Sequence, residues 1–188
     1  TDDMSFSLAS GPVGVMAATN EAVEAAQDPM MVYVFGAVIA LCLISFRSIR
    51  ATLVVVIPLY VVSVLAQALM TYLQIGLTVS TLPVIALGVG IGVDYGIYIL
   101  STKSLMLKQG ATVQEAYLAA LKERGSAVLF TGITLAIGVS TWVFSSLKFQ
   151  MDMGILLTFM FVVNMLGAII VLPALARFLW WNRNDPGA

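Results

Sequence analysis

The chain has 188 residues, of which 60% are hydrophobic and 10% charged, and its nine basic and ten acidic side chains leave a net charge of −1. Its mean hydropathy is +1.00, whereas a soluble domain carries about 25% charged residues, so this composition is that of a membrane protein. With no histidine and one cysteine, a metal-ligand set, a Cys/His or Ser/His catalytic pair and an internal disulfide are excluded, and the lack of a basic cluster disfavours a nucleic-acid partner. Cys42 sits in an apolar segment, where packing is its expected role.

The chain opens Thr1-Asp2-Asp3, with no initiator Met, basic leader or early apolar run, which points to a piece of a longer protein. Residues 1–29 hold no Lys or Arg but five acids: Asp2, Asp3, Glu21, Glu24 and Asp28. Ser5 to Ala9 alternates like a short strand, Gly11-Pro12 breaks it, Val13 to Gln27 reads as a mostly amphipathic helix, and Asp28-Pro29 marks a joint. This segment reads as the end of an extracytoplasmic domain, with a frayed tail as the alternative.

Residues 30–181 read as a membrane domain. Five apolar stretches can each cross roughly 30 Å of hydrocarbon, which takes about 17–25 helical residues. They run from Met30 to Phe46, Ala51 to Leu73, Leu77 to Leu100, Ala127 to Leu147 and Met153 to Trp180. Arg47, Arg50, Lys103, Lys108, Lys122, Arg124, Arg177 and Arg183 fall on one side, and only Lys148 on the other. The positive-inside rule therefore predicts the N-terminus outside and the C-terminus, with a tail over 182–188, in the cytoplasm. The expected fold is an all-α integral membrane bundle of five transmembrane helices. Between the third and fourth spans, Thr112 with Glu115 three residues on forms a capping-box pattern. Val113, Ala116, Tyr117, Ala120 and Leu121 then share a face, predicting a short cytoplasmic amphipathic helix near 112–123 that either couples the two spans or only joins them.

Asp94 is the only acidic residue inside these five stretches, within the run Gly88-Val89-Gly90-Ile91-Gly92-Val93-Asp94-Tyr95-Gly96. A carboxylate in hydrocarbon costs roughly 2.5–3.5 kcal/mol on insertion scales, so a chain that keeps one there generally uses it. At 100° per residue Gly90, Asp94 and Tyr98 form one stripe, continued by Ser101, while Gly88, Gly92 and Gly96 form another. Small residues at that spacing let helices approach closely, which predicts a third span at the centre of the bundle and Asp94 shielded by neighbouring helices. Thr131, Thr134, Gly138, Thr141 and Ser145 make a polar stripe on the fourth span, either a path toward Asp94 or hydroxyls that bond their own helix. Asn164 and Gln67 are isolated polar residues on the fifth and second spans. With no Lys or Arg in the interior of the spans to balance it, Arg177 standing only at the end of the fifth, Asp94 is either a group that gains and loses a proton in each cycle or a permanently protonated interhelical contact. Tyr95 is either a hydrogen-bond donor to a carboxylate on a neighbouring helix or a packing aromatic. Pro58 in the second span is a candidate hinge.

Gly90-Ile91-Gly92-Val93-Asp94-Tyr95 resembles the GxxxD(Y) signature in the middle membrane helix of each half of resistance-nodulation-division (RND) transporters. The likeness is greatest to the hydrophobe-exporter and large mycobacterial-type lipid-transporter (MMPL) branch, with Patched and sterol-sensing proteins more distant. Asn20-Glu21-Ala22-Val23 in the lead-in helix, Phe46-Arg47-Ser48-Ile49-Arg50 after the first span and Glu123-Arg124-Gly125-Ser126-Ala127 before the fourth fit in order. The resemblance covers nearly the whole chain, as the five-span block of one of two repeats, the C-terminal one being the better match.

What the resemblance implies is an RND-like half bundle from a proton-driven exporter of lipidic or hydrophobic substrates in a bacterial inner membrane, a secondary transporter and not an enzyme. Asp94 and Tyr95 would form the proton relay, with Gly88, Gly90, Gly92 and Gly96 packing at the site and Tyr98, Thr131, Thr134, Thr141 and Asn164 along a polar path. Protons would be the coupling ion, with no other cofactor and no metal. The partners implied are membrane lipids, the hydrophobic substrate and the other transmembrane repeat, and homo-oligomers are open to it. The rivals are a non-transporting sterol-sensing-like lipid-binding module and an accessory motor for protein export. An intramembrane enzyme is disfavoured, because a lone Asp lacks the second catalytic group.

Overall fold

The computed structural model describes residues 11–76, 78–79 and 81–180. The predicted strand over Ser5 to Ala9 and the tail over 182–188 lie outside the described residues. Every regular element among the described residues is helical, as lipid demands of a backbone that must satisfy its own hydrogen bonds. The helices are α1 (Pro12–Phe46), α2 (Ile49–Tyr72), α3 (Leu82–Lys108), α4 (Val113–Ala120), α5 (Ser126–Ser140), α6 (Lys148–Leu166) and α7 (Leu172–Trp180). A π-helical turn over Leu121–Gly125 fuses α4 to α5, and another over Gly167–Val171 fuses α6 to α7. Five helical units are long and apolar enough to cross a membrane: Pro12–Phe46, Ile49–Tyr72, Leu82–Lys108, Gln114–Phe144 and Lys148–Phe178. These correspond one to one with the five predicted spans.

Four details depart from the sequence reading. First, α1 passes through Pro29 without a break, where a joint was expected. An internal proline removes one backbone donor, and here the helix continues past it. At 35 residues it is roughly 52 Å long, well beyond the hydrocarbon thickness, so its acidic first half extends outside the bilayer. Second, the predicted amphipathic helix is not a separate surface element. Its capping box forms, with the Glu115 backbone N–H donating to Thr112 Oγ1 at 3.3 Å and the Thr112 N–H to Glu115 Oε2 at 3.0 Å. Its small face, Ala116 and Ala120, is then fully buried, and α4 packs against α3 before running straight on into α5.

Third, this fold-back encloses Lys103, which reads from the sequence as one of the loop cations. Lys103 is 2% exposed and holds its ammonium 4.7 Å from the centre of the Tyr117 ring, an arrangement in which the ring face attracts a partly desolvated cation. Fourth, α5 ends at Ser140 and a 3-10 turn covers Thr141–Phe144, so Ser145 leaves the polar stripe of the fourth span. Its hydroxyl instead donates to Gln150 Oε1 at 2.9 Å and accepts from the Leu147 N–H at 3.1 Å, closing the turn into α6.

α3 is the hub, touching α1, α2, α4 and α6. One side of it is packed because glycine removes the side chain that would keep neighbours away. A Cβ built on Gly92 would stand 2.5 Å from Leu59 Cδ2 and 2.7 Å from Asn164 Oδ1, and one on Gly96 would stand 2.9 Å from Val55 Cγ1. Gly88 meets Met160 in the same way. Gly132 of α5 abuts Met165, and Gly154 of α6 abuts Trp142, so the α5–α6 contact uses the same device. Cys42 is fully buried in the cluster that also holds Val54, Tyr95 and Ile99, as a packing residue would be.

Candidate functional site

Asp94 lies near the middle of α3, about 18 Å along the axis from Leu82 and 21 Å from Lys108. It is exposed in this chain, as are Gly90, Tyr98 and Ser101 above and below it. The Asp94 carboxyl makes no hydrogen bond or ion pair among the described residues. The predicted shield of neighbouring helices is therefore absent among the described residues, and the reason is angular. Gly92 and Asp94 are two residues apart, so about 200° separates them around the helix, and the neighbours crowd onto the glycine side. Gly90 falls on the open side as well: a Cβ there would meet nothing within 4 Å. Of the four glycines expected to pack, Gly88, Gly92 and Gly96 do, and Gly90 does not.

Asn164 also belongs to the packed side. It is 4% exposed, and its Nδ2 donates to the Gly88 carbonyl at 2.8 Å, pinning α6 to α3. It stands across the helix from Asp94 and fastens two helices together, so it does not join the polar residues around the carboxylate. Interhelical hydrogen bonds in membranes contribute about 0.6 kcal/mol on average and at most about 1.7. Asn164→Ala is expected to destabilise the bundle by about 1 kcal/mol, measurable as a lower unfolding midpoint of the purified protein in mixed micelles; an unchanged midpoint would remove the clamp. Gln67 is half-buried on α2.

The structure does bring three of the predicted polar residues together. Tyr95, Tyr98 and Thr131 line one cavity of 270 Å³, closed by Ala127, Val128 and Arg124. A space of this size holds several ordered waters. The Tyr95 side chain is 2% exposed and its hydroxyl has no hydrogen-bond partner among the described residues, although a buried hydroxyl is costly to leave unpaired. Tyr98 is 55% exposed and carries the cavity outward toward the open face. The hydroxyls of Thr131 and Thr134, both on exposed positions, make no hydrogen bond among the described residues. Thr141 instead bonds its own helix, donating to the Gly138 carbonyl at 2.7 Å. The two readings of the polar stripe thus divide along its length: the Thr131 end faces a cavity and the Thr141 end is satisfied locally.

Arg124 was not singled out from the sequence, where it reads as one of several loop cations. Its Nε donates to Thr102 Oγ1 at 3.3 Å, and Thr102 in turn donates to the Tyr98 carbonyl at 3.2 Å. Arg124, an exposed residue, thus stands at the end of the cavity nearest the basic residues, two helical turns of α3 beyond Asp94. The sequence signal that could have found it is its seven-residue spacing from Thr131, which puts both on one face of a helical segment.

The chain matches the MMPL family over residues 8–182. It is also 25% identical over 138 residues to a protein described as a membrane protein of Methanocaldococcus jannaschii, an alignment that takes in 73% of this chain and 36% of that one. The chain thus spans about a third of the curated relative it matches.

Proposed function

Since this chain belongs to the MMPL family, a family of transporters, we propose that it is the membrane part of one half of a proton-driven exporter of lipidic or hydrophobic substrates, with Asp94 as the proton-carrying group. The observation that carries this reading is an acid at mid-helix on the one side of α3 that the chain leaves open. A carboxylate facing hydrocarbon costs several kcal/mol. That cost is relieved if the open face of Gly90, Asp94 and Tyr98 packs against the corresponding face of a second repeat.

In this scheme a proton from the outer side neutralises Asp94, removes the charge from the seam between the repeats and favours one packing of the two halves. Release toward the basic ends of the helices restores the charge and resets the packing. A proton moving down 100 mV supplies about 2.3 kcal/mol, enough to bias a two-state bundle by about fifty-fold. The positive charge of Arg124 at that end repels an excess proton, so it would make exit the slow, controlled step. The proposed setting is a bacterial inner membrane with the basic ends of the helices in the cytoplasm.

The test is proton uptake by the intact protein in proteoliposomes, read with an enclosed pH dye under an imposed gradient. Uptake that depends on Asp94 is expected, and Arg124→Ala should change its rate without changing the amount of folded protein. Uptake indifferent to Asp94 would end the proposal. One feature favours a second reading, a non-transporting lipid-binding module: a 250 Å³ apolar cavity between α2 and α6–α7, lined by Pro58, Val61, Leu65, Val163, Ile170 and Leu175 among others. Such a module would bind lipid and take up no protons in the same assay.

A further inference from the structure

The cavity beside α3 and α5 is chemically lopsided. Its lining contains one cation, Arg124, three hydroxyl side chains, Tyr95, Tyr98 and Thr131, two apolar residues, Ala127 and Val128, and no carboxylate. Arg124 is tethered to Thr102 through Nε alone, so the planar fork of its two Nη groups has no acceptor among the described residues. That fork matches the paired oxygens of a phosphate. The buried Tyr95 hydroxyl is likewise without a partner. Asp94 stands a full turn from Tyr98 and is not part of the lining.

Depth separates a lipid from a free ion. Thr102, which holds Arg124, is eight residues from Asp94, or roughly 12 Å along the helix. With Asp94 near the midplane of a hydrocarbon layer about 30 Å thick, the guanidinium sits just inside the headgroup boundary. From there the cavity reaches inward past Tyr98 to Tyr95. A cation at that depth meets a phosphate where membrane lipids carry theirs.

We propose that this cavity binds the phosphodiester headgroup of a membrane phospholipid from the leaflet at the basic end, with the phosphate on the Arg124 fork and the hydroxyls of Tyr98, Thr131 and Tyr95 lining the rest of the cavity. The inference stands on the chemistry of the cavity and does not require proton coupling. It gives the open face of α3 a lipid at its basic end.

The intact protein, purified in detergent, is loaded with phosphatidylglycerol or with diacylglycerol of the same chains, and retained lipid is counted by native mass spectrometry. Phosphatidylglycerol is expected to stay bound and diacylglycerol to wash off. Arg124→Ala should lower phosphatidylglycerol retention about tenfold or more, as loss of charge-assisted hydrogen bonds implies. Thr131→Val should lower it a few-fold. Should Arg124→Ala not fold, Arg124→Lys, with a severalfold loss, and Thr131→Val decide the matter. Equal retention of the two lipids, or no loss in the Arg124 and Thr131 variants, would overturn the site. Displacement of the lipid by millimolar inorganic phosphate would assign the cavity to a free anion and overturn the lipid assignment. Asp94→Asn should leave retention unchanged, so a failure of the proton reading and a failure of this one are distinguishable.

Discussion

Asp94→Asn is expected to abolish export by the intact protein while leaving its stability within about 0.5 kcal/mol of the parent, as for a substitution that disturbs no packed contact. Asn keeps the shape of the side chain and its capacity for hydrogen bonds but has no ionisable proton. Because the Asp94 carboxyl is exposed on α3 and makes no hydrogen bond among the described residues, the fold of this chain loses nothing by the change. The alternative role, a protonated acid serving as a contact to another helix, makes the opposite forecast: Asn can replace a neutral acid in such a contact, and export should survive. Asp94→Glu refines the comparison. It keeps the titrating group but displaces it by one methylene, so partial export with preserved proton uptake is expected. Export and uptake measured in the same proteoliposomes decide between the roles, and Asn supporting both at parental rates would eliminate the relay.

The angular arithmetic of one helix was legible in the sequence: Gly90, Asp94 and Tyr98 do share a face, and Gly88, Gly92 and Gly96 another. What the sequence did not reveal was which face has neighbours. In lipid a helix face and a lipid face are both apolar, so hydropathy carries no sign of burial. Asp94 was accordingly expected inside the bundle, whereas the glycines, by admitting Met160, Leu59 and Val55, draw the neighbours to the other side. Asn164 was grouped with the polar path for the same reason: an isolated amide on an apolar helix gives no azimuth, and its bond to the Gly88 carbonyl exists only once α6 is docked. Lys103 and Arg124 read as loop cations because nothing in the spacing says that α4 folds back onto α3. The span count, the capping box at Thr112 and the packing of Cys42 needed no tertiary information, and there sequence and structure agree.

The largest stability effect is expected at Gly92. In Gly92→Ala the new methyl would lie 2.5 Å from Leu59 Cδ2 and 2.7 Å from both Cγ and Oδ1 of Asn164. Leu59 is a buried core residue, and Asn164 can withdraw only by giving up its 2.8 Å bond to the Gly88 carbonyl. Neither neighbour has a free direction of escape, so α2 or α6 must move away from α3. Overpacking of this kind costs about 1–3 kcal/mol, and the gain of up to about 1 kcal/mol from replacing glycine in a helix offsets only part of it. Gly90→Ala is the matched control, two residues away on the same helix, with nothing within 4 Å of the added carbon. There only the helix-propensity gain remains, so the sign should reverse. Unfolding midpoints of the two variants in mixed micelles are expected to fall on opposite sides of the parent; destabilisation by both would mean that the open side of α3 is filled within this chain. A bulkier Gly90→Leu separates fold from function, because it leaves this half bundle intact and obstructs whatever covers Asp94. If a second repeat packs on that face, Gly90→Leu should suppress export as thoroughly as Asp94→Asn does, with the protein still folded.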